Sequence, residues 1–303
     1  MTSDVDEFRL ALFEAGLLAP TSTAGVYHRS FAFEGIVRGV ESFVSAAGQD
    51  APRRQLYLSP LLDSSALAAS GFLLSFPNLV GVLTSFTRPE QDLPELINRV
   101  ESGGDWAEML SPDGLALVGA ACHPLYPSLA GSEVPEEGLL YQVQAVCHRH
   151  EPSDDPARMQ SFSQHEFVFV GCEAGALAHR DMWLERGVQL LEQLGLSVET
   201  VPANDPFFGR VGKLMKASQR DKAAKFELVA PISSASPGAV TSGNFHGDHF
   251  GTAYDISLSG GGPAHSACIG FGLERITLAL LHLHGLDIAS WPAPVRSHLH
   301  LAL

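Results

Sequence analysis

Along DVDEFRLALFEAGL, residues 4–17, Phe8, Leu12 and Leu17 fall near one face at helical spacing, and the APTSTAG stretch that follows breaks the pattern. The pattern predicts a second helix from Phe33 to Ala47, closed by Gly48. Residues 53–84 mix turn residues with short apolar runs, and GFLLSFPNLVGVLTSF reads equally as strand or loop. From about residue 114 the texture changes: LALVGAACHPLY, LLYQVQAVCHRH, EFVFVG, KFELVAPI and AYDISLSG are predicted strands bounded by Gly, Pro, Ser and Asp. Between them DMWLERGVQLLEQLG predicts a helix capped by Asp181, with Leu184, Val188, Leu191 and Leu194 near one face and Gly195 at its end. GFGLERITLALLHLHG predicts another, entered through glycines and closed by Gly285.

Strands joined by hairpins and long excursions, with helices to the side, predict an α+β fold with a mainly antiparallel sheet. The glycine clusters at 260–262 and 270–272 lack a dinucleotide-binding fingerprint. No repeat or low-complexity linker divides the 303 residues, a length that suits one large domain or two small ones.

Composition narrows the function. With 45% apolar and 17% charged residues the chain is of globular type. No apolar run is long enough for a bilayer-spanning helix, and the acidic start MTSDVDEFRL is not a secretory signal, so a cytoplasmic location is expected. Cys122, Cys147, Cys172 and Cys268 are too few for a disulfide scaffold. A net charge of -15 opposes general nucleic-acid binding. The basic residues are nevertheless concentrated: Arg210, Lys213, Lys216, Arg220, Lys222 and Lys225 share one stretch with Asp221 as its sole acid. That stretch is either a solvated helix face or a docking patch for an acidic or phosphorylated partner.

CHRHEPSDDPARMQSFSQHEFVFVG carries the chemistry. Strand alternation puts Arg149 and Glu151 on one face, Arg158 follows a polar loop, and Phe162 and Glu166 lead into the next strand. GFGLER adds Glu274 and Arg275 at a helix start. Attack of a carboxylate on the α-phosphate of ATP needs fixed positive charge where charge develops, an adenine platform and a carboxylate for the adenine amino group. Arginine suits phosphate because its planar fork binds oxygens in pairs and stays charged. The alternative is a set of surface ion pairs flanking a core strand.

R-x-E, a short loop and R-x-x-x-F resemble motif 2 of class II aminoacyl-tRNA synthetases, and GFGLER resembles their motif 3. The resemblance implies a class II synthetase-like catalytic core, a single domain spanning 1–303. It makes Arg149 the α-phosphate ligand, Glu151 the adenine reader and Arg158 the γ-phosphate ligand, with Phe162 and Arg275 sandwiching the base. AGLLAPTSTAGVYHR, SGFLLSFPNLVGVLTSF, EPSDDPARMQSF, DPFFGRVGKLMKASQRDKAAKFELVAP, NFHGDHFG and AHSACIGFGLERITLALLHLHG together resemble the amino acid:[carrier protein] ligases, truncated homologues of the atypical, zinc-dependent seryl-tRNA synthetases.

That likeness implies a zinc site. Glu166 falls where the atypical seryl enzymes carry a zinc-binding glutamate, and Cys122, read as lying at a strand end, and Cys268 are the matching cysteines. Three ligands and an open position define a catalytic zinc, one per chain, which would take the amino group of the substrate. Spacing alone does not distinguish these cysteines from buried apolar ones. Nearby His123, His148, His150, His165 and His265 are expected mostly as satisfied polar or supporting groups.

The implied reaction joins a small amino acid, glycine or alanine, to ATP as an aminoacyl-adenylate. The thiol of a phosphopantetheine arm on an acidic carrier protein then takes the aminoacyl group. Residues 205–225 become the expected carrier-docking insertion, with Arg210, Lys213, Lys216 and Arg220 as contacts. Where seryl synthetases place a magnesium-binding glutamate, Ala239 stands, so Glu227 is the expected ligand of the Mg²⁺ that accompanies ATP. Asn244 is a candidate contact to the amino acid. A homodimer with the first helices near its interface is expected. Without a sustained heptad arm tRNA is not the expected acceptor; a truncated paralogue acting on tRNA and a non-catalytic regulatory paralogue stay as alternatives.

Overall fold

The computed structural model describes residues 4–203, 224–233 and 237–301. Its strands in chain order are β1 (Leu18–Pro20), β2 (Tyr27–Arg29), β3 (Arg54–Tyr57), β4 (Leu61–Asp63), β5 (Val82–Ser85), β6 (Ser111–Leu117), β7 (Glu133–Val134), β8 (Leu139–His148), β9 (Ser161–Gly171), β10 (Glu199–Pro202), β11 (Lys225–Pro231), β12 (Pro237–Gly247), β13 (Ser257–Leu258) and β14 (His265–Gly272). The helices are α1 (Asp4–Glu14), α2 (Phe31–Ala46), α3 (Ser64–Ala69), α4 (Phe72–Ser75), α5 (Leu93–Glu101), α6 (Leu125–Ser128), α7 (Glu173–Gln193), α8 (His249–Tyr254), α9 (Leu273–His284) and α10 (Ala293–His298).

Seven strands form the central sheet in the order β10-β11-β12-β14-β9-β8-β3. Every neighbouring pair is antiparallel except β3 on β8. Alternation gives each strand two faces with different jobs. Phe167, Ile269 and Phe271 point into a core built with α2, α7 and α9, where Phe167 stacks on Trp183 at 3.7 Å between ring centroids. The neighbouring positions Val168 and Cys268 point the other way, into a second core with Tyr126, Val143 and Phe250. The three-stranded sheet β4-β6-β5 packs on this second side through Leu62 and Ala116, and a cavity lies over the central strands beside the segment that carries α4.

The α2 helix forms because Phe33, Ile36, Val37, Val40 and Val44 make one buried stripe and the Ser30 hydroxyl accepts the Phe33 N–H at 3.2 Å. Gly39 lies in that stripe, where an added Cβ would meet the Leu299 Cβ at 2.9 Å as well as its backbone, so only glycine lets the C-terminal segment approach. On the other side Gly251 of α8 faces the Ala264 backbone nitrogen at 2.8 Å from an added Cβ.

Several expected boundaries move. The first helix stops at Glu14, so Leu17 reaches the core from beyond it. GFLLSF contributes α4, and GVLTS contributes β5. α7 begins at Glu173, eight positions before Asp181, which lies inside it paired with Arg180 at 2.7 Å instead of capping it. The predicted strand AYDISLSG keeps only β13, because Ala253 and Tyr254 close α8. LALVGAACHPLY is strand only to Leu117; Cys122 sits five residues later, in a turn before α6, and not at a strand end.

Candidate active site and metal centre

Motif-like residues come together because three central strands run under one cavity of about 840 Å³. β9 supplies Phe162, Gln164 and Glu166 on a shared face, β14 supplies Cys268, and β12 supplies Asn244. The register places Asn244 beside Cys268 and Glu166 beside Gly270. An added Cβ at Gly270 would lie 3.3 Å from the Glu166 Cγ, so the glycine of the GFG segment makes room for the carboxylate.

The sulfurs of Cys122 and Cys268 and a carboxylate oxygen of Glu166 lie within 4.8 Å of one another, all buried. Glu166 Oε1 accepts the backbone N–H of Ala121 at 2.8 Å and of Cys122 at 3.3 Å, pinning the turn that carries Cys122. Its Oε2 is buried without a protein partner. A buried carboxylate oxygen left over beside two thiols is costly by itself and is what a cation would satisfy. The hydrogen bond to Cys268, then burial and the Glu166 charge, push the Cys122 thiol well above its ordinary range. For Cys268 the bond with Cys122 pulls down while burial and Glu166 push up, and the net direction is up. Both thiols stay protonated unless a cation takes their place. The donor set of two sulfurs and one oxygen suits Zn²⁺ with an open fourth position. Cys147 and Cys172 stand outside this cluster.

The other end of the cavity is cationic. Arg149 and Glu151 were expected on one strand face, but β8 ends at His148 and both lie in the following loop. The Arg149 N–H still bonds Gln160 O at 2.9 Å, after which the Glu151 N–H turns back onto Arg149 O at 2.8 Å. That turn brings both side chains to the cavity wall. Arg149 Nε donates to Gly119 O at 3.0 Å and its guanidinium covers the Phe162 ring at 5.2 Å. Arg158 closes a short helical turn capped by Asp155, is about half exposed, and lies 3.9 Å from Glu151. Arg275, at the first turn of α9, is anchored to Ala157 O at 2.8 Å and Ala239 O at 3.0 Å. Burial, then the charges of Arg149 and Arg158, lower its pKa. Arg149, Arg158 and Arg275 converge in one cavity, an arrangement that can hold an anion. Glu227 on β11 lines the same cavity and lies 3.2 Å from Lys225 Nζ.

The cavity therefore joins Arg149, Glu151, Arg158, Phe162, Arg275, Glu227 and Asn244 to Cys122, Glu166 and Cys268. Arg210, Lys213, Lys216 and Arg220 lie outside the described residues. The sequence did not single out Phe72, Phe76, Leu79 or His246, and His123 was expected only as a satisfied or supporting group. Phe72, Phe76 and Leu79 wall the cavity from a segment whose pattern was ambiguous. His123, edge-on to Phe72, is held neutral, since burial and then the Arg149 charge push it down to about 4. His246, within NFHGDHFG, lies 3.6 Å from the Cys268 sulfur. Of the other histidines, His165 packs beside Phe167 on the opposite sheet face, and His265 stacks on Phe245.

No protein-family model matches the chain. Two proteins of Bradyrhizobium diazoefficiens are similar over most of it. Amino acid–[acyl-carrier-protein] ligase 2 is 41% identical over 280 residues, covering 92% of this chain and 84% of that protein. Amino acid–[acyl-carrier-protein] ligase 1 is 39% identical over 279 residues, covering 91% and 85%. The type-2 serine–tRNA ligase of Methanopyrus kandleri is 27% identical over 206 residues, 63% of this chain and 39% of that enzyme. Among solved structures, the seryl-tRNA synthetase of M. kandleri bound to a tRNASec of A. aeolicus superposes with a TM-score of 0.81 at 20% identity, over 98% of this chain and 60% of that one. The cytoplasmic serine–tRNA ligase of Naegleria fowleri in complex with AMP superposes with a TM-score of 0.72 at 12% identity, over 97% and 59%. At these identities the structures establish the class II synthetase fold.

Proposed function

Because the chain belongs to the amino acid–[acyl-carrier-protein] ligases and is therefore a ligase acting on an amino acid and a carrier protein, we propose that it activates glycine or alanine with ATP and passes it to a phosphopantetheine thiol. One observation carries the reading: a cluster of three arginines and a Cys–Glu–Cys cluster share one cavity.

In the first step the amino acid carboxylate attacks the α-phosphorus of ATP and pyrophosphate leaves. Arg149 releases Gly119 O and the Phe162 ring to meet the α-phosphate, where negative charge builds, and Phe162 then stacks on adenine. Arg275, already held by two carbonyls, faces the other side of the base and the phosphates. Arg158, on the exposed rim, takes the γ-phosphate, Glu151 accepts from the adenine amino group, and Glu227 binds the Mg²⁺ of the nucleotide. In the second step the carrier thiol attacks the acyl carbon, forming a thioester as AMP departs. No covalent bond to the enzyme is needed; orientation and fixed charge supply the rate. A Zn²⁺ held by Cys122, Glu166 and Cys268 would supply a Lewis-acid position that selects a free amine. Asn244, beside Cys268, would contact the amino acid. Arg210, Lys213, Lys216 and Arg220, in the insertion 205–225, would dock the acidic carrier. A homodimer in the cytoplasm completes the reading; it is supported by Phe31, 91% exposed at the start of α2, and by the uncovered Leu56 and Tyr57 on edge strand β3.

The test is ATP–pyrophosphate exchange with each standard amino acid, followed by transfer of labelled amino acid to holo-carrier or to tRNA. Exchange with glycine or alanine and label on the carrier are expected. Label on tRNA alone would assign a synthetase paralogue, and no exchange by folded, zinc-loaded protein would assign a non-catalytic one.

A further inference from the structure

The two sulfurs of the candidate metal centre have different surroundings. Cys122 and Cys268 both lie in the second core, and they differ in their polar neighbours. The Cys268 sulfur is approached by Asn244 Nδ2 at 3.7 Å and by His246 Nε2 at 3.6 Å. His246 owes this place to a break in register. Phe245 pairs with Ala267 and Gly247 with Ser266, so the register shifts by one residue at His246. A bulge of this kind re-aims the side chain of the extra residue.

The rest of the ring is fixed as well. Nδ1 lies 3.0 Å from Ser266 Oγ and 3.3 Å from the Tyr126 hydroxyl. Tyr126 and Phe250 stack at 3.9 Å between centroids, and the imidazole stands edge-on to both. A metal-bound thiolate carries no hydrogen and only accepts. The ring meets it favourably only with the proton on Nε2, and that leaves Nδ1 to accept from a hydroxyl. Tyr126 and Ser266 are the hydroxyls that select this tautomer.

We propose that His246 is a positioning residue of the metal centre, donating Nε2–H to the Cys268 sulfur while Tyr126 and Ser266 hold its tautomer. It would orient the sulfur and draw charge from it, leaving the metal more electrophilic toward an incoming amine. The inference rests on the reading of Cys122, Glu166 and Cys268 as zinc ligands.

The experiment measures zinc release to a chelator and the sulfur-to-metal absorption band of the cobalt-substituted protein. It compares wild type with His246→Phe, His246→Gln and Tyr126→Phe, with the melting temperature of each zinc-free form as a control for packing. His246→Phe should lose zinc on the order of 10- to 100-fold faster and shift the cobalt band. His246→Gln, which keeps an N–H donor, should recover most of both, and Tyr126→Phe should fall between. Wild-type behaviour of His246→Phe would overturn the inference while leaving the zinc site intact. Equal defects in the Phe and Gln variants, with lowered zinc-free melting temperatures, would overturn it in favour of ring packing. A wild-type protein that takes up no zinc would remove the metal reading itself, a result distinct from both.

Discussion

The two oxygens of Glu166 are placed differently: Oε1 ties down the Cys122 turn, while Oε2 is buried without a hydrogen bond. The Glu166→Gln variant keeps an oxygen for the two backbone N–H groups but loses the negative charge. It should fold with a zinc-free melting temperature near wild type and hold far less than one zinc per chain, measured by elemental analysis. Arg149 is tested by a different readout. Its weak anchors, one carbonyl and one ring, leave it ready to move onto a phosphate. Arg149→Ala should cut pyrophosphate exchange roughly 10²- to 10³-fold, the usual effect of removing a preorganised charge-stabilising donor, without lowering zinc content. Exchange near the wild-type rate would remove Arg149 from the α-phosphate.

At the scale of elements, the site depends on how α2, β9 and α9 are tied together. Glu274, buried at the start of α9, is paired with Arg29 just before α2, and its Oε2 accepts the Ser163 N–H at 2.8 Å. Arg29 also reaches Glu34 of α2 at 2.6 Å. Burial raises the Glu274 pKa, and Arg29 opposes the rise. Arg29→Ala strands the carboxylate, so a loss of roughly 3 kcal/mol is expected by denaturant unfolding, at the low end for a broken buried pair because Arg29 is about a quarter exposed. A change within error would show that Glu274 takes up a proton at no cost. Charge reversal at Lys213 and Lys216 should weaken carrier loading about tenfold and spare pyrophosphate exchange, since rim charges act mainly on association. Equal loss of both steps would refute the docking role.

For the whole molecule, acid lability follows from a group far from the chemistry. His179 of α7 is buried against β9, its Nε2 donating to Phe167 O at 3.2 Å. Burial pushes its pKa down to about 4; the Phe167 bond opposes this and the Arg53 charge adds to it. The unfolded chain takes up this proton near 6.5, the folded chain only near 4. The stability it contributes is whole above about pH 6.5 and is lost as pH falls toward 4, on the order of 3 kcal/mol. Unfolding free energies of wild type and His179→Gln across that range should converge at low pH. Parallel curves would place the acid sensitivity elsewhere.

The fold class and most chemistry-bearing residues were legible because they rest on local signals. Alternation marks β8 and β9, an apolar stripe marks α2, and R-x-E with GFGLER carries, in a few adjacent residues, the resemblance to class II synthetase motifs. Boundaries were less legible where tertiary contacts override local preference. Asp181 looked like a cap, yet α7 runs on through it because Ala176 and His179 have a core to enter. Arg149 and Glu151 looked like strand residues, yet the chain turns after Arg149 to meet the cavity. The sequence by itself determined which groups are available: three arginines, two cysteines and a carboxylate that resemble those of a known ligase family. Only the tertiary structure decided that they share one cavity, that Gly270 leaves space for Glu166, and that a bulge turns His246 onto the Cys268 sulfur. Residues 122, 166, 246 and 268 meet through sheet register and a single turn, and long-range pairing of that kind leaves no periodicity along the chain.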